Sequence, residues 1–478
     1  MNKLLTFNKI KDITQGQWIT KPNNPDLILR GGAFDTRALG EADIFFTWQG
    51  ENSDGHKHIH QLAESDIKLI IVEKEVPTIS DKPILKVKDS LRALHLLAKE
   101  LMKGFCGKTV NITGSSGKTT TKSWLQHILS DHRNLLTNIG SFNNHIGCPI
   151  TILNLKEDHN LLVLEMGTSG IGEIEKLTAI APADIALLLN VGHAHLGMIG
   201  SRENIYQAKL ELFSHLKPDA ISLLPAFDER LVQAQVKGEK HFFGKGSSEF
   251  FWNRTDIDPM QMTQTLGLES PYGKNTVSVP RLGDYVGDLI SGIIAVCYYL
   301  GLDWQQVEPG LSVLPQEKGR STFLKGKNGV LILDDTYNAN PESVVAMLNT
   351  ICSLNMKQTI GVVGNLAELD EDLKETAGYI VENIPSNLTD LLLSGDTGKI
   401  LLPKIQTRHP NLNVVYTDSI ISLIEKTNNL ANKDAVIGVK GSRTSHLERV
   451  VYALGGRMTR CELGRCGKLM MCNQCEEL

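Results

Sequence analysis

The sequence predicts an α/β protein of three domains, and three observations support this prediction. The chain has 478 residues, about three times the length of a typical domain. From residue 108 onward, apolar strand-like segments alternate with helix-like segments, a pattern typical of a parallel sheet covered by helices. The same alternation restarts from about residue 318, which indicates a second open α/β unit.

The predicted domain boundaries follow changes in composition. The first domain combines short apolar strands with one helix, residues 90–105, in which apolar side chains recur three and four positions apart. The last domain begins in residues 316–329, a segment rich in Gly and Lys that is typical of a linker. The predicted divisions are 1–107, 108–317 and 318–455, followed by a tail of residues 456–478.

The composition excludes several classes of protein. Hydrophobic residues make up 41% of the chain and charged residues 22%, as in ordinary globular proteins. The net charge of −5 argues against a nucleic-acid-binding surface. No stretch approaches the ~20 apolar residues of a membrane span, and Asn8, Lys9 and Lys11 interrupt any secretory signal. We expect a cytoplasmic monomer that has no membrane span and binds no nucleic acid.

A glycine-rich motif predicts a phosphate-binding loop at the start of the second domain. Residues 114–120, GSSGKTT, follow an apolar strand and open a helix. Glycines let the backbone wrap closely around a phosphate, while Lys118 adds a full charge and Thr119 offers a hydroxyl to Mg²⁺. The alternative is a Gly-Ser turn that precedes a lysine by chance, since only two residues separate the glycines. The candidate nucleotide-binding residues are Gly114, Ser115, Ser116, Gly117, Lys118, Thr119 and Thr120.

Three further polar residues follow the next strands of this domain. Glu165 ends an apolar strand, His195 lies just after another, and Lys209 lies on the helix that follows. Doubly wound sheets bind ligands at the carboxyl ends of their strands, where a carboxylate and an imidazole can hold a divalent ion. Each residue taken singly is compatible with an ordinary surface or core position. Three of them after a phosphate-binding loop favour a catalytic centre.

Several segments form a series with a distinctive order and spacing. They are GSSGKTT (114–120), SFNNHIGCPITIL (141–153), LEMGTSGIGEI (164–174), NVGHAHLGMIGS (190–201) with AKLE (208–211), DDTYNANP (334–341), GNLAEL (364–369) and KGSRTSHLE (440–448). The series resembles the Mur ligases, ATP-dependent amide-forming enzymes of peptidoglycan synthesis. DTR at 35–37 and GENSDGH at 50–56 resemble the amino-terminal, UDP-substrate-binding domain of the family, so the resemblance covers about residues 30–455. It implies a small α/β N-terminal domain, a central P-loop parallel-sheet ATPase domain and a C-terminal Rossmann-like domain. The Cys-rich tail follows these three domains and lies outside the resemblance.

The resemblance also implies an activity. NNHIG, YNANP and KGSR are most similar to the members that add D-alanyl-D-alanine to UDP-N-acetylmuramoyl-tripeptide. The implied enzyme is an ATP-dependent carbon–nitrogen ligase that uses an acyl phosphate. Its partners would be small molecules: a nucleotide-linked or other carboxylate, and an amino acid or dipeptide amine. Two alternatives are a Mur-type ligase diverted to other substrates in specialised metabolism, and a non-catalytic ATP-binding scaffold.

Individual roles are implied by the same matches. Lys118 and Thr119 would bind ATP with Mg²⁺ on Thr119, Glu165 and His195 would hold a second Mg²⁺, and Lys209 matches a lysine that the family carries as a carbamate. Other residues expected near the nucleotide are Asn190, His193, Arg320, Asp335, Tyr337, Asn338 and Asn340. Residues expected to bind the substrates are Asp35, Thr36, Arg37, Asn143 and Asn144, with Lys440, Ser442 and Arg443 for the amine substrate and its carboxylate.

One segment departs from the family pattern. Many Mur ligases have a GxHNxxN segment that contacts adenine, and this chain has GDYVGD at residues 283–288. The His and both Asn are absent, so the adenine contacts of the family do not carry over to this segment.

The tail contains half of the eight cysteines of the chain. Cys461, Cys466, Cys472 and Cys475 follow the pattern C-x4-C-x5-C-x2-C. Four thiolates can close a tetrahedral structural Zn²⁺ site, although only the last pair has the spacing of a zinc knuckle. A disordered or redox-active tail and unrelated buried cysteines are the alternatives.

Overall fold

Three α/β units follow one another along the chain in the computed structural model. It describes residues 5–50, 53–79, 81–192, 196–366 and 373–457, together with Cys461, Cys472 and Cys475. Each unit is organised around its own sheet, and the predicted α/β class is confirmed. Within these ranges, no helix is long and apolar enough to cross a membrane.

The first unit is a small mixed sheet packed against helices. Its elements are β1 (Leu5–Thr6), α1 (Phe7–Thr14), β2 (Gln17–Thr20), β3 (Ile28–Leu29), β4 (Gly32–Ala33), β5 (Ile44–Phe46), β6 (Leu69–Val72), β7 (Ile84–Lys86) and α2 (Ser90–Met102). The main sheet has the order β2-β7-β6-β5-β4, and β2 is antiparallel to β7. Helix α2 begins where the Asp89 side chain accepts from the backbone N–H of Arg92, and its apolar face packs into the core.

The central unit is a parallel sheet with helices on both faces and a small antiparallel sheet beside it. Its elements are β8 (Lys108–Thr113), α3 (Lys118–Leu129), β9 (Leu135–Thr137), α4 (Gly147–Leu153), β10 (Leu161–Glu165), α5 (Glu173–Ile180), β11 (Ala183–Leu188), α6 (Leu196–Ile199), α7 (Arg202–Leu210), β12 (Leu216–Pro225), α8 (Glu229–Gln233), β13 (Glu239–Phe243), β14 (Phe251–Asp258), β15 (Thr263–Ser270), β16 (Gly273–Val279), α9 (Asp284–Tyr299) and α10 (Trp304–Leu311). The parallel strand order is β13-β12-β11-β8-β10-β9. Because β8 lies between β10 and β11, the loop after β8 opens at the point where the strand order reverses, the usual ligand position of such sheets.

The last unit is a second, mostly parallel sheet. Its elements are β17 (Thr322–Lys325), β18 (Leu331–Asp335), α11 (Pro341–Ser353), β19 (Gln358–Val363), α12 (Leu373–Glu382), β20 (Asp390–Leu393), α13 (Gly395–Arg408), β21 (Asn413–Tyr416), α14 (Ile420–Leu430), β22 (Ala435–Lys440) and α15 (Glu448–Leu454). The strand order is β17-β18-β22-β19-β20-β21, and β17 is antiparallel to β18. Apolar clusters cover both faces of this sheet.

Two features differ from the sequence prediction. Residues 322–325, expected within a linker, form β17, because Thr322 and Phe323 are buried and pair with β18. The antiparallel sheet β14-β15-β16 was not predicted at all. Its strands alternate buried apolar residues with polar ones, so they lack the continuous apolar runs that identify the parallel strands.

Candidate active site

A cavity of about 640 Å³ lies between the central and the last unit, and its wall contains residues from both. Helix α3 begins directly after the loop that forms one wall, and α11 begins directly after a loop that forms another. Most of the predicted site residues meet there. Those in the wall are Ser115, Ser116, Gly117, Lys118, Thr119, Thr120, Asn143, Asn144, Glu165, Asn190, Arg320, Asp335, Tyr337, Asn338, Asn340 and Lys440.

The glycine-rich loop has the shape of an anion-binding turn. Gly117 has φ 84°, a left-handed conformation that favours glycine, and it leads directly into α3. Lys118 Nζ donates to the carbonyl oxygen of Gly114 at 2.7 Å, so its charge lies over the loop. Asn190 brackets Ser116, because its side chain accepts from the Ser116 backbone N–H at 2.9 Å and donates to the Ser116 carbonyl at 3.1 Å. Asn190 therefore positions the loop.

Glu165 is the carboxylate at the centre of the site. It ends β10 and is 1% exposed. Its Oε1 accepts from Thr119 Oγ1 at 3.0 Å and from Asn143 Nδ2 at 2.7 Å. Its Oε2 has no hydrogen-bond partner among the described residues and lies 3.4 Å from Lys122 Nζ. A hydroxyl and a carboxylate side by side are oxygen ligands of the kind that Mg²⁺ prefers.

Two residues that hold Glu165 in place were missed in the sequence. Lys122 is buried and donates to the carbonyl oxygens of Asn138 and Gly140 at 2.6 and 2.5 Å. The Asn138 side chain accepts from the Glu165 N–H at 3.0 Å and donates to the Glu165 carbonyl at 2.9 Å. The position of Lys122, four residues after Lys118 on α3, is a signal that could have identified it, because residues i and i+4 share a helix face.

The last unit contributes a cluster of polar and charged side chains. Lys440, 2% exposed at the end of β22, pairs with the Asp335 carboxylate and donates to the Asn338 carbonyl at 2.9 Å. The Arg320 guanidinium stacks over the Tyr337 ring, 3.9 Å from its centroid. Lys440 thus belongs to the same wall as the residues predicted to bind ATP.

Asn340 connects the two units. Its Oδ1 accepts from the backbone N–H of Ser343 at 2.9 Å and so caps α11. Its Nδ2 donates to Ser116 Oγ in the glycine-rich loop at 3.0 Å. One side chain therefore links the start of α11 to the phosphate-binding loop.

The segment that departs from the family pattern also reaches the cavity. Tyr285 and Asp288 lie in its wall, and Asp288 Oδ1 accepts from Trp252 Nε1 at 2.7 Å. Burial raises the pKa of the Asp288 carboxyl to about 6. Phe227 and Phe243 line the same region and offer aromatic surface. These side chains were not predicted, because their role depends on packing between distant elements.

Several predicted site residues lie elsewhere. Asp35, Thr36 and Arg37 are not among the residues lining the cavity. Arg37 pairs with Asp35 at 2.7 Å and holds the pKa of that carboxyl at about 2. Ser442 and Arg443 also lie outside the cavity wall. The segment of Asp35 still approaches the loop before α4, because the Phe34 and Phe142 rings meet edge-on with centroids 6.0 Å apart.

The remaining predicted site residues are Lys209, two histidines and the tail cysteines, and some of them lie outside the described residues. Lys209 is 1% exposed on α7, so the alternative of a solvated surface lysine is wrong. It is not among the cavity-lining residues. His193 and His195 lie outside the described residues, as does Cys466. Of the other tail cysteines, Cys472 is buried, while Cys461 and Cys475 are partly exposed.

Comparison with known proteins relates this geometry to a family. The chain matches the Mur ligase middle domain over residues 112–288, and the glutamate ligase domain of the Mur ligases over residues 319–443. It is 32% identical over 429 residues to the UDP-N-acetylmuramoyl-tripeptide–D-alanyl-D-alanine ligase of Haemophilus influenzae, covering 88% of this chain and 92% of the relative. The chain belongs to the Mur ligase family.

Further Mur ligases are similar over nearly the whole chain. The Bacillus subtilis enzyme of the same name is 29% identical over 454 residues, 94% of this chain and 98% of its own. A crystal structure of MurF from Acinetobacter baumannii superposes with a TM-score of 0.84 at 26% identity, covering 95% of this chain and 100% of the other. The structure of MurF ligase from Thermotoga maritima in complex with ADP superposes with a TM-score of 0.78 at 29% identity. The match covers 89% of this chain and 97% of the other.

Proposed function

We propose that this chain is an ATP-dependent ligase that joins D-alanyl-D-alanine to UDP-N-acetylmuramoyl-tripeptide. The observation that carries this proposal is the single cavity in which the glycine-rich loop, Glu165 and the charged cluster of the last unit meet. The names of the Haemophilus influenzae and Bacillus subtilis relatives support the choice of substrates. The ADP complex of the Thermotoga maritima relative supports ATP as the phosphoryl donor.

The first step activates the tripeptide carboxylate. One of its oxygens attacks the γ-phosphorus of ATP, the bond to the β-phosphate oxygen breaks, and an acyl phosphate and ADP form. Negative charge spreads over the transferring oxygens, so the loop amides and the Lys118 ammonium stabilise the transition state electrostatically. The Asn190 contacts to Ser116 keep the loop amides oriented before ATP arrives.

The oxygen donors of the cavity fit a magnesium ion. Thr119 Oγ1 and the Glu165 carboxylate lie in contact, and Glu165 Oε2 is buried without a hydrogen-bond partner among the described residues. Bound Mg²⁺ would neutralise phosphate charge there. Thr119 and Glu165 would hold it, and a contribution of His195 stays a prediction. Lys122 Nζ, 3.4 Å from Glu165 Oε2, helps to hold that carboxylate in place.

A carbamate on Lys209 is part of the proposal. Lys209 lies on α7 and is 1% exposed. Carbamylation would turn the cationic side chain into an anion, the charge that favours binding of a divalent ion. The support is the family match of AKLE at 208–211.

The second step forms the amide bond. The free amine of D-alanyl-D-alanine attacks the acyl carbonyl, inorganic phosphate leaves, and the amine nitrogen loses a proton. Water would destroy the acyl phosphate, so the cavity must be closed during this step. Arg320 and Lys440 line the part of the cavity that the last unit forms, where they can contact phosphate oxygens.

Substrate-dependent phosphate release tests the proposal. Purified protein is incubated with ATP, Mg²⁺ and a panel of carboxylates and amines, and the amide product is identified by mass. We expect turnover only when UDP-N-acetylmuramoyl-tripeptide and D-alanyl-D-alanine are both present. If phosphate were released only with carboxylates other than UDP-N-acetylmuramoyl-tripeptide, the protein would be a diverted ligase. If no pair of substrates caused phosphate release, an enzymatic role would be refuted.

A lysine variant tests the phosphate site. Lys118→Ala removes the charge over the loop, and we expect kcat/KM to fall at least ~100-fold, the usual cost of losing a group that stabilises transition-state charge. Lys176→Ala, at an exposed position on α5, is the matched control and should keep full activity. Near-normal turnover of the Lys118→Ala protein would contradict the assignment of the loop.

A further inference from the structure

The tail places a thiol against the loop that follows β22. Cys472 Sγ lies 3.3 Å from His446 Nδ1, which in turn lies 3.1 Å from Glu448 Oε1. One donor atom from each of the three residues falls within 4.8 Å of the others. Cys472 is 8% exposed, His446 1% and Glu448 0%. A nitrogen, an oxygen and a sulfur donor thus converge in a buried position, away from the cavity described above.

Two atoms of this cluster lack a partner. His446 Nε2 and Glu448 Oε2 are buried and make no hydrogen bond within the described part of the chain. A carboxylate removed from water is costly unless it is paired. Arg443 Nη1 donates to Glu448 Oε1 at 3.2 Å, and the Cys472 backbone N–H donates to the same oxygen. Among the described residues, Glu448 Oε2 is therefore left without hydrogen bonds, in a position that a cation could satisfy.

We propose that His446, Glu448 and Cys472 form a binding site for one divalent transition-metal ion of the Zn²⁺ class. Imidazole, carboxylate and thiolate are the ligand types of zinc sites, whereas Mg²⁺ and Ca²⁺ prefer oxygen donors alone. On binding, the Cys472 thiol releases its proton to solvent and the thiolate bonds to the metal. Glu448 and the thiolate carry two negative charges, which the ion would offset together with the nearby guanidinium groups of Arg443 and Arg449. The fourth position of a tetrahedron is open to water or to a further tail thiol.

This ligand set differs from the four tail cysteines that the sequence suggested. Cys461 Sγ accepts from the Arg449 guanidinium at 3.3 Å, so a cation already faces it. Two of the three ligands come from the loop and helix after β22 and one from the tail. The metal would therefore fasten the tail to the last unit. Because Glu448 also pairs with Arg443, the ion would help to fix the loop that carries Arg443.

Metal titration of the full-length protein tests the site. The protein is kept reduced, stripped with a chelator and titrated with Zn²⁺ or Co²⁺. We expect one equivalent of Zn²⁺ per chain, and a thiolate-to-metal charge-transfer band in the near ultraviolet with Co²⁺. His446→Ala, Glu448→Gln and Cys472→Ser should each weaken metal binding at least ~10-fold, since even outer-shell changes cost 10–100-fold. Cys472→Ser should also abolish the sulfur band.

Matched controls come from exposed positions. Cys106→Ser and His60→Ala remove the same side-chain types from exposed positions that precede β8, and they should leave the titration unchanged. If Zn²⁺ still bound stoichiometrically and equally tightly to the His446→Ala and Glu448→Gln proteins, the proposed ligand set would be wrong. The metal would then be bound by tail cysteines alone. A wild-type protein without stoichiometric Zn²⁺ or without a Co²⁺–sulfur band would refute the proposal, and this result does not depend on whether the variants fold.

Discussion

At the level of single residues, the carboxyl group of Asp288 connects the stability of the central unit to pH. Burial raises its pKa to about 6, even though Trp252 Nε1 donates to it and Lys245 lies nearby. Asp284 on the same helix adds a like charge that acts in the same direction as burial. The ionised form is therefore less favourable in the folded protein than in the unfolded chain.

This raised pKa predicts a stability that falls as the pH rises. Below about pH 4 the carboxyl is protonated in both states and costs nothing, whereas above about pH 6 the folded protein holds a buried charge. A shift of about two pKa units corresponds to up to about 3 kcal/mol. Asp288→Asn keeps an acceptor for Trp252 Nε1 without the charge. We expect this variant to unfold at higher denaturant concentration than wild type at pH 7.5, and the difference to disappear as the pH falls below about 4.

Asp256→Asn provides the comparison, because it removes an exposed carboxylate from β14, the strand that carries Trp252. Urea unfolding at several pH values should give the same pH dependence for this control as for wild type. If the free energy of unfolding of the Asp288→Asn protein varied with pH as strongly as that of wild type, Asp288 would not be the group responsible.

The sequence predicted those residues of the candidate site whose type and position at the end of a strand are typical of a ligand-binding site. Lys118 and Glu165 were predicted because each follows an apolar strand, and strand ends of a parallel sheet meet at one edge. Asn138 and Asp288 were missed because their roles depend on contacts that sequence spacing does not encode. Ser442 and Arg443 share a motif with Lys440, but the chain turns after β22, so Lys440 alone enters the cavity wall.

Helix α9 shows how a glycine can be required by packing inside a helix. The indole ring of Trp252 lies against Gly287, and a Cβ built there would approach Trp252 Cδ2 to 2.2 Å. Trp252 is fully buried, so the ring has little freedom to move. Because the ring lies this close to the helix, Trp252 Nε1 can donate to the carboxylate of Asp288, the residue after Gly287.

Gly287→Ala should therefore destabilise the protein by about 1–3 kcal/mol, the usual cost of overpacking a core. Gly378→Ala is the matched control, since Gly378 lies inside α12 and a Cβ there meets no atom of the described residues within 4 Å. Alanine at that position should leave stability unchanged or raise it by up to ~1 kcal/mol through helix propensity. Thermal and urea unfolding of both proteins measure the contrast. Equal effects of the two substitutions would exclude the packing explanation.

Most of the elements around the site follow from the sequence by their pattern. The apolar runs of β8, β10 and β11 and the start of α3 at Lys118 agree with the prediction. The strands β14, β15 and β16 do not show such runs, because their sheet buries only one face. Strand β17 was not predicted because the glycines and lysines around it are typical of a linker. Its pairing with β18 depends on tertiary packing.

For the molecule as a whole, the cavity exists only because the central and last units lie together. Asn340 contributes directly to this arrangement through its bond to Ser116, while its other side-chain atom caps α11. Both units contribute charged groups to the cavity, so a bound nucleotide would contact both. Removal of the Asn340 contact should therefore affect nucleotide binding separately from helix stability.

Two substitutions of Asn340 separate these effects. Asn340→Ser keeps a helix-capping oxygen but cannot reach Ser116, so we expect nearly unchanged stability and affinity for Mg²⁺–ADP reduced by up to ~10-fold, the worth of one hydrogen bond. Asn340→Ala loses the cap as well and should cost a further ~1 kcal/mol of stability. Ser419→Ala, which removes the cap of α14, should lower stability without changing nucleotide affinity. Calorimetric titration and urea unfolding give both quantities. An Asn340→Ser protein with wild-type nucleotide affinity would show that the contact between the units contributes nothing to nucleotide binding.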